Sequence, residues 1–294
     1  MLTPTDLDWL TTLTAFPTIA GREERVIEFV EAWAGRRPGI DCAADDYGNL
    51  VLTVRGEHDA PPLWFTAHMD HPGFIVTSAD GAVEFRGGVG ERYFVDAALH
   101  FFVDGGVVEA TLTDFDHGGS TGAVTCDVDL PVGAIGRWAF DEAALGVRDG
   151  VLHAPGMDDL AGVAAGLSAL ERIRKDPGLG HVGLLLTRAE EVGFGGAIGA
   201  CKSGTIPHDA RLIVLETSRA FPSWPIGDGP VVRVGDRISI FDPDLTAAIS
   251  RVADALDRPT QRKLMDGGAC EATAFCQYGY TASSICLPLG NYHN

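Results

Sequence analysis

Between about Phe74 and Leu152 the chain is made of closely spaced strand-like pieces separated by Gly and Asp, whereas helix and strand alternate on either side. That contrast limits the fold more than any other feature. Val83 to Phe85, Leu99 to Val103, Val107 to Leu112, Val124 to Val128 and Ile135 to Trp138 are short, β-branched or aromatic, and interrupted by no convincing helix. Such spacing predicts a compact β-barrel or sandwich inserted into a larger unit.

Before the insert, apolar positions recur at helical spacing (Leu10, Leu13, then Val26, Phe29, Val30, Trp33), broken near Pro17 and Gly21. Two helices are expected there. Asn49 to Val54 and Leu63 to Ala67 read as strands, the second central. After the insert come helix Asp159 to Arg174, strand Val182 to Thr187, helix Phe194 to Lys202, strand Leu212 to Leu215, helix Asp242 to Leu256 and strand Tyr280 to Leu287. This alternation predicts an α/β fold with a layered, helix-flanked sheet. Residues 1–74 and 153–294 would form the catalytic domain and 75–152 the inserted β-rich domain, a division that suits the 294-residue length.

Composition then excludes partners. With 41 acidic against 22 basic residues the formal net charge is −19, a field that repels phosphate backbones, so nucleic acid is not expected. The N-terminus lacks the basic region and apolar run of a signal peptide, and no stretch reaches about 18 apolar residues, so no membrane association is expected. Six cysteines lie scattered without a C-x-x-C pair, which fits reduced thiols and a cytoplasmic protein.

Chemistry-bearing residues gather near strand ends. His68 and Asp70, two apart after an apolar strand, share a face, and a carboxylate there can orient an imidazole for a metal. Taken alone, the pair is equally a structural His beside a surface Asp. Pro155 to Gly162 precedes a small-residue helix, where Asp158 is either an N-cap or a bridging metal ligand, with Gly162 permitting close packing. Glu190 and Glu191 follow the strand ending at Thr187; they are dipole partners of the next helix, or one ligates a metal while its neighbour holds the attacking water. Glu216 closes another apolar strand, and His293 follows the last one. In open α/β sheets ligands bind beyond the carboxyl ends of strands, and two histidines with several carboxylates match what Zn²⁺ accepts.

At this point the chain resembles the co-catalytic di-zinc exopeptidases, and most closely the tetrahedral (TET) or glutamyl aminopeptidase family. The matching pieces are AHMDHPGF at 67–74, MDDLAG at 157–162, EEVGFGGA at 190–197, LET at 215–217, GGACEA at 267–272 and PLGNYH at 288–293. They span nearly the whole chain in family order. The resemblance implies two divalent ions, Zn²⁺ with Co²⁺ or Mn²⁺ as alternatives. It implies that His68, Asp158 and Glu216 hold one, and that Asp158, Glu191 and His293 hold the other. Glu190 would be the general base and Asp70 would brace His68. It further implies a cis peptide bond between Asp158 and Asp159, a peptide or small amide substrate, and a hollow homo-oligomer. The family places its β-rich insert between the His-x-Asp strand and the bridging Asp, where this chain also carries it.

The sequence departs from the family pattern at three places. Glu216 stands where the aminopeptidases usually carry Asp, a substitution commoner in carboxypeptidase and N-acyl amino acid hydrolase relatives, so both remain as alternatives. Gly267-Gly268-Ala269-Cys270-Glu271 replaces Gly-Gly-Thr-Asp, and the chain stops at Asn294 where the family continues into a helix, as a shortened sequence would. Two rivals stand beside this reading. Gly118 to Gly122 matches the G-x-S-x-G nucleophile pattern, but a polar turn precedes it and a strand follows, where that motif needs a strand and then a helix. A non-catalytic metal-binding homologue would have no need of Glu190.

Overall fold

A computed structural model describes residues 3–57, 59–265 and 267–291. The chain opens with α1 (Pro4–Ala15) and α2 (Glu24–Gly35), then β1 (Ile40–Ala44), β2 (Leu50–Val54) and β3 (Leu63–His68). Helix α1 starts where Thr3 and Asp6 form a reciprocal capping box and Pro4 supplies a pre-set φ at the first turn. The barrel strands follow: β4 (Gly73–Val76), β5 (Ala82–Arg86), β6 (Ala98–Val103), β7 (Gly106–Asp116), β8 (Thr121–Thr125) and β9 (Ile135–Trp138). A short hairpin, β10 (Gly146–Arg148) and β11 (Val151–His153), leads back to α3 (Met157–Ile173), β12 (Val182–Thr187) and α4 (Gly195–Ser203). The chain continues through β13 (Arg211–Arg219), β14 (Val231–Gly235), α5 (Pro243–Ala255), β15 (Gln261–Leu264), α6 (Glu271–Gln277) and β16 (Thr281–Leu289).

Among the described residues the main sheet has eight strands in the order β1-β2-β12-β3-β13-β16-β14-β15. Its centre, β12-β3-β13-β16, is parallel, and β1, β2 and β14 add antiparallel pairings. All six residues of β12 are buried, as a parallel strand covered on both faces requires. Leu184 and Leu186 pack with α1, α2 and α3 around Trp9, Val30, Trp33 and Leu167, while Leu185 packs on the other face with Ala197, Phe275 and Trp64. The period of two along the strand thus divides the core into two layers.

The six strands β4-β5-β8-β7-β6-β9 close into a barrel, so the expected α/β fold with a β-rich barrel is the fold observed. Aromatic rings fill it, with Phe74 5.1 Å from Phe85 and Phe94 stacked on Phe115 at 4.0 Å between centroids. Arginines fasten the barrel to the α/β unit. The Arg137 guanidinium donates to the carbonyls of Thr14, Ala15 and Phe16, closing the end of α1, and Arg22 donates to Gly133 O at 2.8 Å. Strand β8 lies about three residues earlier than its apolar run suggests. Gly118 to Ser120 form the β7–β8 hairpin turn, so the G-x-S-x-G pattern sits in a barrel hairpin and not between a strand and a helix.

Candidate active site

His68 is the last residue of β3 and is 2 % exposed. Its Nδ1 lies 3.0 Å from the backbone carbonyl of Asp70 and 3.6 Å from that residue's carboxylate, which leaves Nε2 facing inward. Around Nε2 stand Asp158 Oδ1 at 3.3 Å, Glu190 Oε2 at 3.9 Å and Glu216 Oε1 at 3.9 Å. Asp70 is fully buried and accepts the backbone N–H groups of Glu190 and Glu191 at 3.0 and 3.1 Å. One carboxylate therefore joins the end of β3 to the turn that follows β12.

That turn is held from its other side by Glu23, at the start of α2. Glu23 is fully buried, accepts from Ala189 N at 3.2 Å and takes the Arg188 guanidinium at 2.6 Å. Burial pushes its carboxyl up in pKa, and Arg188 offsets part of that. Ala189 sits at φ 53°, a left-handed conformation that L residues seldom adopt, so the turn is fixed by its surroundings and not by local preference.

Helix α3 begins after Gly156 at φ 57°, and the Asp158–Asp159 peptide bond is cis, as the resemblance implies. Asp158 has non-helical dihedrals and does not cap its own helix; its carbonyl meets His71 Nδ1. Asp159 accepts from the backbone of His68 at 3.3 Å and of Gly162 at 3.1 Å. A Cβ at Gly162 would collide with that carboxylate, which accounts for the glycine. Glu216 lies inside β13 and not past its end, because β13 keeps pairing with β16 as far as Arg219 and Leu289. Its Oε2 is 3.7 Å from the buried guanidinium of Arg233, which also donates to Thr217 O and Ser218 Oγ.

The structure thus brings His68, Asp70, Asp158, Glu190, Glu191 and Glu216 together, while His293 lies outside the described residues. Sequence reasoning missed Asp159, Glu23 and His71. Two of them left a signal, since Asp159 adjoins a flagged acid and His71 falls within AHMDHPGF, but nothing in the local sequence of Glu23 marks it.

The donor set suits a cation. One ligand atom each from His68, Glu190 and Glu191 falls within 4.8 Å of the others, as do those of His68, Asp159 and Glu216. Several carboxylates buried about a single imidazole repel one another unless positive charge joins them. Burial pushes the Glu190 carboxyl well above the usual carboxylate range, and Glu216 and Glu191 push it further. Burial alone would lower His68, but Glu190, then Asp158, Asp70 and Glu216, hold it well above the ordinary histidine value.

A cavity of about 170 Å³ opens over His68, Asp158, Glu190, Glu191 and Glu216. It shares Gly88 and Ala269 with a neighbouring pocket of about 810 Å³ whose lining includes Arg92, Arg219, Arg233, Lys263 and the rings of Tyr93, Phe221 and Trp224. In a chain of net charge −19 this lining holds four cations against one acid, Glu91, although Arg233 is buried beside Glu216.

The model of the M42 glutamyl aminopeptidase family matches residues 128–294. A curated protein of Acetivibrio thermocellus with an aminopeptidase name is 23 % identical over 308 residues, covering 98 % of this chain and 91 % of its own. An aminopeptidase from the archaeon Desulfurococcus kamchatkensis superposes with a TM-score of 0.82 at 21 % identity, over 99 % of this chain and 88 % of the other. The TET1 peptidase of Pyrococcus horikoshii, whose structure is described as assembling into a tetrahedron or a large octahedral shell, gives 0.82 at 21 % identity over 98 % and 92 %.

Proposed function

The chain belongs to the M42 glutamyl aminopeptidase family and is a metal-dependent aminopeptidase, and on that premise we propose which of its residues carry the reaction. His68, Asp158 and Glu216 hold one divalent ion; Asp158, Glu191 and His293 hold a second, and Zn²⁺ suits this mixture of imidazole and carboxylate. The observation that carries this reading is the ring of carboxylates about His68 Nε2, all within 4 Å. Bound there, the metals supply Lewis acidity and activate the nucleophile at neutral pH.

The chain's own groups do the rest. Glu190, with its carboxyl poised upward by burial, takes the proton of the attacking water and passes it to the leaving amine. Asp70 holds Nδ1 of His68 from one side and the Glu190 and Glu191 backbone from the other, so the base and the imidazole keep one mutual geometry. The cations of the larger pocket favour a substrate with an anionic side chain. Gly88, Arg92 and Tyr93, from the segment joining β5 to β6, bring the insert into that pocket's wall. This supports residues 1–74 and 153–294 as the catalytic unit and 75–152 as an insert that shapes specificity.

Assembly into a homo-oligomer is proposed from the shells described for relatives. A cytoplasmic location is proposed from the six cysteines, all free thiols. No helix among the described residues is long and apolar enough to cross a membrane. The test is hydrolysis of aminoacyl, N-acyl and C-terminal dipeptide substrates after chelation and re-addition of Zn²⁺, Co²⁺ or Mn²⁺. Metal-restored cleavage of the aminoacyl series alone is expected; activity indifferent to chelation, or confined to the other series, contradicts the proposal.

A further inference from the structure

Beneath His68, on the same face of the sheet, buried hydroxyls interrupt the apolar layer. Trp64, Thr66 and His68 alternate onto the same side of β3, and in the parallel register Leu185 pairs with Thr66 and Thr187 with His68. Where two further apolar contacts would complete the layer, Thr66 and Thr187 instead point their hydroxyls at one carboxylate, that of Glu271 on α6. Thr66 Oγ1 donates to Oε1 at 2.5 Å and Thr187 Oγ1 to Oε2 at 2.6 Å. Glu271 is fully buried, and burial pushes it up to about 7 in spite of both hydroxyls.

A carboxylate in that layer is costly, and nothing in the reaction as described uses it. Its position nevertheless relates two parts of the active site. Thr66 precedes His68 by two residues on β3. Thr187 is the last residue of β12, directly before the Arg188 to Glu191 turn. Glu271 is itself fixed from behind, because Asp236, just after β14, accepts from Cys270 N at 3.2 Å and from Thr273 Oγ1 at 2.6 Å. The connection therefore runs from β14 through the start of α6 and the Glu271 carboxylate to both strand ends, on the side of the sheet away from Glu23.

We propose that Glu271 is a positioning residue which, by clamping Thr66 and Thr187 with its two carboxylate oxygens, sets the separation of His68 from Glu190 and Glu191 and so the fit of the metal site. The assignment rests on the reading of His68 and Glu191 as metal ligands. Thr66 and Thr187 transmit the effect, and Glu271 touches neither metal nor substrate.

The test measures metal affinity by competition with a chromophoric chelator, together with kcat, KM and Tm, in the full chain and in Glu271→Gln, Thr66→Val/Thr187→Val and Thr66→Ser/Thr187→Ser. The unsubstituted chain comes first: if it binds no divalent metal, the ligand reading fails and takes this proposal with it. Given binding, Glu271→Gln and the double Val variant are expected to weaken affinity roughly 10–100-fold and lower kcat with KM nearly unchanged, with the double Ser variant restoring both. Should Glu271→Gln not fold, the Val and Ser pair decides alone. Val variants that bind metal and turn over as the parent does, or that lose only Tm, overturn the proposal.

Discussion

The carboxylate of Asp70 accepts the backbone N–H of Glu190 at 3.0 Å, so the residue two positions beyond the metal-facing histidine holds the turn that carries the base. The same side chain accepts Glu191 N at 3.1 Å. Replacing it with Ala strands one buried donor, at a cost of about 1–3 kcal/mol, and one partly buried donor. Asp70→Ala should lower stability by a few kcal/mol in urea unfolding and reduce kcat by more than Asp70→Asn, which keeps one acceptor. Equal, small effects of both substitutions would remove Asp70 from this role.

Metal uptake should be steeply dependent on pH. In the metal-free protein His68 is held well above the ordinary histidine value and Glu190 well above the carboxylate range, so each holds its proton to higher pH than the free side chain does. Ligation needs the neutral imidazole, so the apparent affinity should rise with pH and binding should release protons. Titration calorimetry in two buffers of different ionisation enthalpy checks this; equal heats would contradict it.

Glu271 gives a separate dependence on pH in the metal-free protein. Its folded pKa is raised, from 4.5 to about 7, so between those values the folded chain binds the proton that the unfolded chain has lost. Stability from this group is present at low pH and falls as pH climbs through about 7. Glu271→Gln cannot lose it. Relative to the parent, the variant should therefore gain up to about 3 kcal/mol between pH 5 and pH 8. A constant difference across that range would count against the buried carboxyl.

The pocket beside the site makes a claim about specificity. If Arg219 and Lys263 attract an anionic side chain, Arg219→Ala/Lys263→Ala should cut kcat/KM for glutamyl and aspartyl substrates roughly tenfold or more while leaving leucyl substrates nearly unchanged. Parallel losses on both substrate kinds would assign the cations to folding.

Much of this was legible in the sequence, for physical reasons. Strand β12 was read to the residue because its unbroken apolar run reflects burial on both faces, and His68 and Asp70 stood out because a polar pair after such a run needs explaining. Other elements left no such trace. Strand β15, Gln261–Leu264, is a four-residue edge strand with two adjacent charges and no fully buried residue, β1 buries little beyond Ile40, and α6 has only seven residues. Glu216 was placed at a strand end because its apolar run stops at Leu215, although backbone pairing with β16 carries β13 on through polar residues. Glu23 and Asp236 carry no local mark of their contacts to the turn after β12 and to the start of α6, and Glu271, though it stands in the GGACEA segment, gives no sign there of its threonine partners, because all these contacts cross more than thirty residues.

The reaction depends on Glu190 as the base of a metal site that other residues build. Glu190→Gln preserves the side chain's shape while removing its ability to take a proton. Metal content by mass spectrometry and kcat on an aminoacyl substrate, measured on the same preparation, test it directly. Metal equal to the parent with kcat lowered about 10²–10⁴-fold is the predicted result; a metal-replete variant turning over at the parent's rate would contradict it.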